Sequence, residues 1–403
     1  MPGTRDGTIP PPPMTPTDPE TPAAPAAEPA PAEPAPAEGT PADGAPPAPS
    51  GPPTIEVIGD FARVLRENRI SLLVSTYDTG RVFILRAVGG GLNVHFVAFD
   101  RAMGIAANAR SIAVGSTARI HELFNVPALI PRLPPSKMKE SPYDACFVPR
   151  SDFVTGDVQI HEMAYGSGDE LWFVNTRFSC LCTRNPPHSF EPRWRPPFVK
   201  GLSADDRCHL NGLAMVDGRP GYVTAFAVSD EPAGWRPTKA TSGLVMEVPS
   251  GRVVTSGLSM PHSPRWYANR LWVLDSGRGT IALVDRDAGT TSTFADLNGF
   301  TRGLDFHRNF AFVGLSRVRE SNVFGGLPLT ERLPESERFC GVQVIDVSAG
   351  RIAAALKFTS GVNEIFAVQV LPGIAFPEVL ERDDELVATC YSLSPQALAQ
   401  VRE

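Results

Sequence analysis

The sequence predicts an all-β protein, a six-bladed β-propeller closed by N- and C-terminal strands that share one blade. Three observations carry that prediction. From Ile70 onward, short runs rich in Val, Phe, Leu and Trp are broken by Gly, Asp-Gly, Asn or Pro about every ten residues. One opening pattern recurs five times along the body. Each end of the body holds only part of such a unit.

The chain begins with a different kind of segment. Of the 41 prolines, 19 precede Thr54, mixed with Ala, Glu, Gly and Thr. Apart from Met1 and Met14, the only large apolar residue there is Ile9. Such a composition cannot bury enough surface to offset the entropy of ordering, and its prolines favour extended polyproline II. Residues 1–53 are therefore expected to form a disordered Pro/Ala/Glu-rich tail, either an inert solubilising segment, or a spacer or a ligand for a proline-binding module. The segment has neither a basic n-region nor a continuous apolar h-region, so no signal peptide is expected. Its charge is −6 of the total −7, which leaves −1 for residues 54–403. A nearly neutral body with no basic cluster argues against nucleic acid or an anionic membrane as partner. No run approaches the roughly 18–20 apolar residues of a bilayer span.

Residues 54–403 are expected to form one propeller domain with a short N-terminal helix over 55–68, where Phe61, Val64 and Leu65 have helical spacing. Strand-like runs follow, such as Leu72–Thr76, Val82–Leu85, Val94–Val97, Leu171–Val174 and Leu271–Asp275. The recurring unit opens with a small apolar strand, passes a turn and continues as a second strand ending in Ser, Thr or Asn. Its openings are Ala102–Ala106, Ile160–Ala164, Leu210–Ala214, His262–Trp266 and Thr301–Asp305. With Met103, His161, Asn211, Ser263 and Arg302 taken as equivalent, the spacings are 58, 50, 52 and 39. Blades of four short strands need roughly 40–50 residues. Residues 70–98 resemble a blade lacking its first strand. Ile365–Val370 supplies such a strand near the other end, and Leu386–Cys390 is expected to add to the same blade. Five repeats and one composite blade make six; a seven-bladed ring and an open β-sandwich are the alternatives.

Six cysteines stand at 146, 180, 182, 208, 340 and 390. They are sparse, and no CxxC pair suggests a structural zinc site. Reduced, mostly buried thiols in a cytoplasmic protein are expected, with Cys180 and Cys182 on one side of a strand.

Between about Tyr143 and Pro377 several long strings stand out. They include Gly156–His161, Leu171–Leu181, Arg193–Phe198, Asp206–Ala214, Ser259–Trp266, Gly299–Gly303 and Arg317–Ser321. On these strings the chain resembles a bacterial family of conserved hypothetical proteins, a resemblance that implies no particular reaction. Asn211-Gly212-Leu213-Ala214 is also similar to a strand of the six-bladed gluconolactonase and regucalcin-type propellers. That likeness implies that Asn211 helps hold a divalent metal; the Glu and Asp ligands of that class have no counterpart here.

In a propeller the first strand of each blade lines the central channel, so residues about 50 positions apart converge at one end. The converging set is polar: His161, His209 with Asn211, His262, Arg302 and Glu364. Neutral imidazole is the commonest transition-metal ligand, and three from separate strands would leave room for water or substrate. His161, His209, Asn211 and His262 are thus candidate ligands of one divalent transition metal ion. His161, His209, His262 and Arg302 are the candidate catalytic groups, Arg302 orienting an anionic part of the substrate. A metal-free polar pocket and a solvated channel filled by hydrogen-bonded histidines are the alternatives.

Other candidates have plainer readings. Asp275 before Ser276 and Gly277 is turn chemistry. Cys208 and His209 are adjacent on a strand and point apart. Trp172, Trp266 and Trp272 suit blade packing. Arg193, Arg195, Arg317 and Arg319 could grip a carboxylate or phosphate, and His95, His121, His188 and His307 fit no pattern. Two functions are expected: an enzyme, metal-assisted or not, acting on a small polar or peptide-like substrate without a nucleotide cofactor, or a non-enzymatic propeller binding a peptide or protein partner on its axial face.

Overall fold

The computed structural model describes residues 53–134, 143–318 and 325–401. The expected tail, apart from Pro53, and the Arg319–Ser321 part of the string at 317–321 lie outside these residues. Six small sheets of four or five strands form the blades. Their innermost strands are Ile105–Ala107, Ile160–Tyr165, Gly212–Val216, Pro261–Tyr267, Phe300–His307 and Ile365–Pro372. Each packs beside the next, and Ile365–Pro372 meets Ile105–Ala107, so the ring closes at six.

Closure follows the shared-blade prediction. Ile365–Pro372 pairs antiparallel with Ile70–Thr76, Leu72 opposite Val370 and Val74 opposite Val368. Arg81–Val88 and Gly91–Ala98 complete that sheet. Large apolar side chains fill the spaces between neighbouring sheets; Phe83, Phe147, Phe173, Phe312 and Trp272 are all buried there. Hydroxyls at the ends of the second strands bind one blade to the next. Ser75 Oγ donates to Met103 O, Thr176 Oγ1 to Leu210 O and Ser316 Oγ to Ile365 O. Among the repeat's endings this accounts for Thr176 and Ser316.

The structure departs from the sequence reading at both edges. Ile55–Gly59 is a strand, added to the outer edge of Arg351–Phe358. Only Phe61–Asn68 is helical, capped where the Asp60 carboxylate accepts from Arg63 N and ended by Arg69 in the left-handed region (φ 52°). Phe61, Val64 and Leu65 are its buried face, as their spacing predicts. Leu386–Cys390 does not join the composite blade. Glu385–Thr389 is a short helix that Asp384 caps. Pro377–Val379 instead runs parallel to Ala145–Val154 as a fifth strand of a different blade.

All six cysteines are buried and outside disulfides. Cys180 and Cys182 face the same side of their strand, Sγ to Sγ 3.4 Å. Burial pushes the Cys208 thiol up to about 12, which makes it a poor nucleophile. No helix among the described residues is long and apolar enough to cross a membrane.

Candidate functional site

The starts of the innermost strands gather His161, His209, His262 and Arg302 at one end of the channel, all buried. The His161 and His209 rings meet edge to face at 4.8 Å between centroids, and His161 and His262 lie nearly parallel at 6.4 Å. Aromatic walls enclose them. Phe226 and Trp235 lie 4.4 and 4.5 Å from His209. Phe300 lies 5.6 Å from His262, and Phe366 lies 5.3 Å from His161. The Arg302 guanidinium sits over the Phe366 ring at 3.7 Å, a cation–π contact that fixes the charge beside the imidazoles.

A recurring local geometry builds the site. Gln159, His209 and Met260 all have left-handed backbone (φ 54°, 50° and 45°). Two positions later, a side chain turns back onto each carbonyl. His161 Nδ1 meets Gln159 O at 3.0 Å, Asn211 Nδ2 donates to His209 O at 3.2 Å, and His262 Nδ1 meets Met260 O at 2.9 Å. The equivalent of His161 and Asn211 is therefore His262, one position before the Ser263 of the sequence alignment. A register irregularity between His262 and Arg265 hides this shift. His209 occupies the left-handed position itself, which brings its ring into the cluster from a different level.

Each imidazole is held through Nδ1. His161 Nδ1 faces the Gln159 carbonyl and Thr176 Oγ1 (2.8 Å), whose own proton goes to Leu210 O. His262 Nδ1 faces Met260 O and Ser276 Oγ (3.0 Å). His209 Nδ1 faces Asp206 Oδ2 at 2.8 Å, and that oxygen also accepts from Trp235 Nε1. Carbonyl and carboxylate oxygens only accept, so all three rings carry the proton on Nδ1, and in the neutral ring the lone pair is on Nε2.

Asn211 has a supporting position. Its Oδ1 accepts from Thr224 Oγ1 at 2.6 Å and its amide holds the His209 carbonyl. Glu364, half-buried at the same end, accepts from Tyr77 N through its backbone oxygen. Among the described residues, no group of three or more His, Cys, Asp or Glu side chains converges closely enough to hold a metal ion. The cavity beside His161, lined also by Arg101, Asp157 and Phe366, measures about 10 Å³, room for about one water.

Further along the channel, buried Glu162 and half-buried Arg265, Asp305 and Gln369 form a polar layer. Glu162 Oε1 accepts from Arg265, and Asp305 Oδ2 accepts from Gln369 Nε2 (2.6 Å) and Val370 N (2.8 Å). Burial pushes both the Glu162 and Asp305 carboxyls up, against the pull of Arg265. Sequence reasoning missed this layer, the aromatic walls and Asp206. The one available signal was Asp206 three residues before His209. Asp275, Arg193 and Arg195 make local contacts within the blades. Asp275 accepts from Ser259 N and pairs with Arg278. Arg193 donates to Glu170 and lies over Trp172, and Arg195 donates to Val199 O.

Solved structures with similar coordinates include a nidogen/laminin complex (9% identity, TM-score 0.46, 76% of this chain and 99% of that one). A protein of unknown function from Bacteroides caccae shares 11% identity with a TM-score of 0.45, over 75% of this chain and 98% of that one. Virginiamycin B lyase from Staphylococcus aureus shares 11% with a TM-score of 0.35, over 60% and 76%. No curated protein matches the sequence. Residues 59–380 match the domain of unknown function DUF4915, and the chain belongs to that family.

Proposed function

We propose that this propeller handles a small polar or peptide-like ligand at the channel end, met by Nε2 of His161, His209 and His262, with Arg302 orienting an anionic group. The observation that supports this reading is the shared tautomer. Three rings with different neighbours all have Nδ1 tied down, a uniformity that packing alone does not require. A fixed Nδ1–H on a carbonyl or carboxylate is also how metal-bound imidazoles are oriented, so one divalent transition metal ion fits this reading only where the three rings draw closer than they stand here. Such an ion, when bound, would polarise a carbonyl or activate water. In this reading Asn211 positions His209, and Asp206 holds its ring.

Non-enzymatic binding of a peptide or protein partner on the same face is the second reading, and the small space beside His161 favours it. Elemental analysis of the full chain separates the two, run beside a variant with His161, His209 and His262 all changed to Ala. One equivalent of a transition metal, lost in a variant with unchanged circular dichroism, supports the enzyme. No metal after reconstitution, together with unchanged small-ligand binding in the variant, rejects the axial site.

A further inference from the structure

A second cluster lies away from the channel, on the blade formed by Ile105–Ala107, Ser111–Gly115, Arg119–Asn125 and Ala145–Val154. Ser116 follows the second of these strands at a hairpin, His121 is on the third, and Asp152 is its cross-strand partner on the fourth. Ser116 Oγ lies 3.0 Å from His121 Nε2, and His121 Nδ1 lies 2.8 Å from Asp152 Oδ1. The carboxylate accepts a hydrogen bond from Nδ1–H, closer than the Arg382 Nη2 at 3.4 Å, which leaves Nε2 as the acceptor for the serine hydroxyl. The other acceptor near that hydroxyl, Arg119 O, is farther away at 3.3 Å. A hydroxyl, an imidazole and a carboxylate joined through these atoms form the relay that activates a serine nucleophile.

The surroundings suit a substrate. All three residues line a cleft of about 380 Å³, within the range of small-ligand sites. Val97, Phe99, Leu123 and Leu380 supply an apolar wall. Arg382 and Arg119 flank Asp152 and pair with its other carboxylate oxygen. Ser116 is only 2% exposed, so a slim acyl group is the one that reaches its oxygen.

We propose that Ser116, His121 and Asp152 form an acyl-transfer site that hydrolyses esters of short apolar acids. Ser116 Oγ attacks the ester carbonyl as its proton passes to His121 Nε2. The tetrahedral adduct collapses, the bond to the leaving oxygen breaks, and the Nε2 proton goes to the departing alcohol. Water then attacks the acyl-serine, giving its proton to Nε2, and the acid leaves as Ser116 recovers its hydrogen. Asp152 holds the ring throughout and balances its transient positive charge. The net reaction consumes one ester and one water and yields one acid and one alcohol. Burial, with Arg382 and Arg119, brings His121 down to about 4, so the ring is a neutral base at pH 7.

The test uses the full-length protein, a fluorophosphonate probe and p-nitrophenyl butyrate. The expected result is probe attached at Ser116, mapped by peptide mass spectrometry, and ester hydrolysis lowered about 100-fold or more in Ser116→Ala and His121→Gln. Asp152→Asn should lower the rate with little change in KM, which loss of folding alone would not produce. Wild-type protein that takes no label at Ser116, or Ser116→Ala that hydrolyses the ester at the wild-type rate, overturns the proposal. The labelling arm needs no variant, so a misfolded mutant cannot obscure it.

Discussion

Arg265 Nη2 donates to Glu162 Oε1 at 2.9 Å across the channel, joining two innermost strands whose residues are 103 positions apart. Arg265 Nη1 also reaches Leu213 O on the strand between them, at 3.3 Å. One half-buried guanidinium thus ties three blades together beside a buried carboxylate. Removing it leaves a buried carboxylate unpaired. Arg265→Met should cost about 3–5 kcal/mol at pH 7. Because burial already favours protonated Glu162, the loss should shrink as pH falls toward 4.5. Urea unfolding at the two pH values checks this, and an equal loss at both would disprove the pairing argument.

The seam of the ring has two hydroxyls, one on each side of the closing strand. Ser316 Oγ donates to Ile365 O and accepts from Ile365 N at 3.0 Å. Ser75 Oγ accepts from Ala367 N at 3.0 Å as it donates to Met103 O. Each alanine substitution strands two buried backbone groups, a cost of about 1–3 kcal/mol. Hydrogen exchange should rise first at the amides of Ile365 and Ala367. Protection unchanged at those two amides in Ser75→Ala and Ser316→Ala would contradict the latch.

Gly303 has φ +80°, and a Cβ there would lie 2.5 Å from Val368 N on the neighbouring innermost strand. Gly303→Ala combines left-handed strain with a backbone clash and should cost more than about 2 kcal/mol. Thermal melting reads the effect; a fall in Tm smaller than that of Ser75→Ala would show that the strand shifts freely.

His121 is the pH-sensitive group with the clearest direction. Burial, Arg382 and Arg119 lower it to about 4, opposed by Asp100, with Asp152 on Nδ1. The unfolded ring binds its proton near 6.5. Between pH 6.5 and about 4 the unfolded state therefore holds more protons, and stability falls as pH falls through that window. Solvent screening limits the effect to on the order of 1 kcal/mol. His121→Phe should flatten that part of the pH–stability curve, and an unchanged slope would assign it to other groups.

The architecture was legible because a propeller writes its repeat into the chain. Openings such as Leu210–Ala214 and Thr301–Asp305 became innermost strands, and the partial units at the two ends became one blade. Ile55–Gly59 misled because it continues into a helix of similar composition; only the exposed edge of Arg351–Phe358 makes it a strand. The three axial histidines were visible as successive openings. Their register was not, because left-handed backbone at Met260 and Ser263 offsets the strand start. Ser116, His121 and Asp152 left no sequence signature. Their contacts arise from one hairpin and one antiparallel strand pair, at separations of 5 and 31 residues that no motif fixes.

The composite blade has a consequence during synthesis. Ser75 and Ala367, bonded at the seam, are 292 positions apart. Three strands of that blade, the last ending at Ala98, leave the ribosome before the rest of the ring and wait for their fourth, which begins at Ile365. Until then Ile70–Thr76 presents an unpaired apolar edge, the kind of surface that recruits chaperones or other nascent chains. A chain stopped before Ile365 would keep that edge permanently. Five blades would be in place, but the molecule would be prone to associate with its own copies.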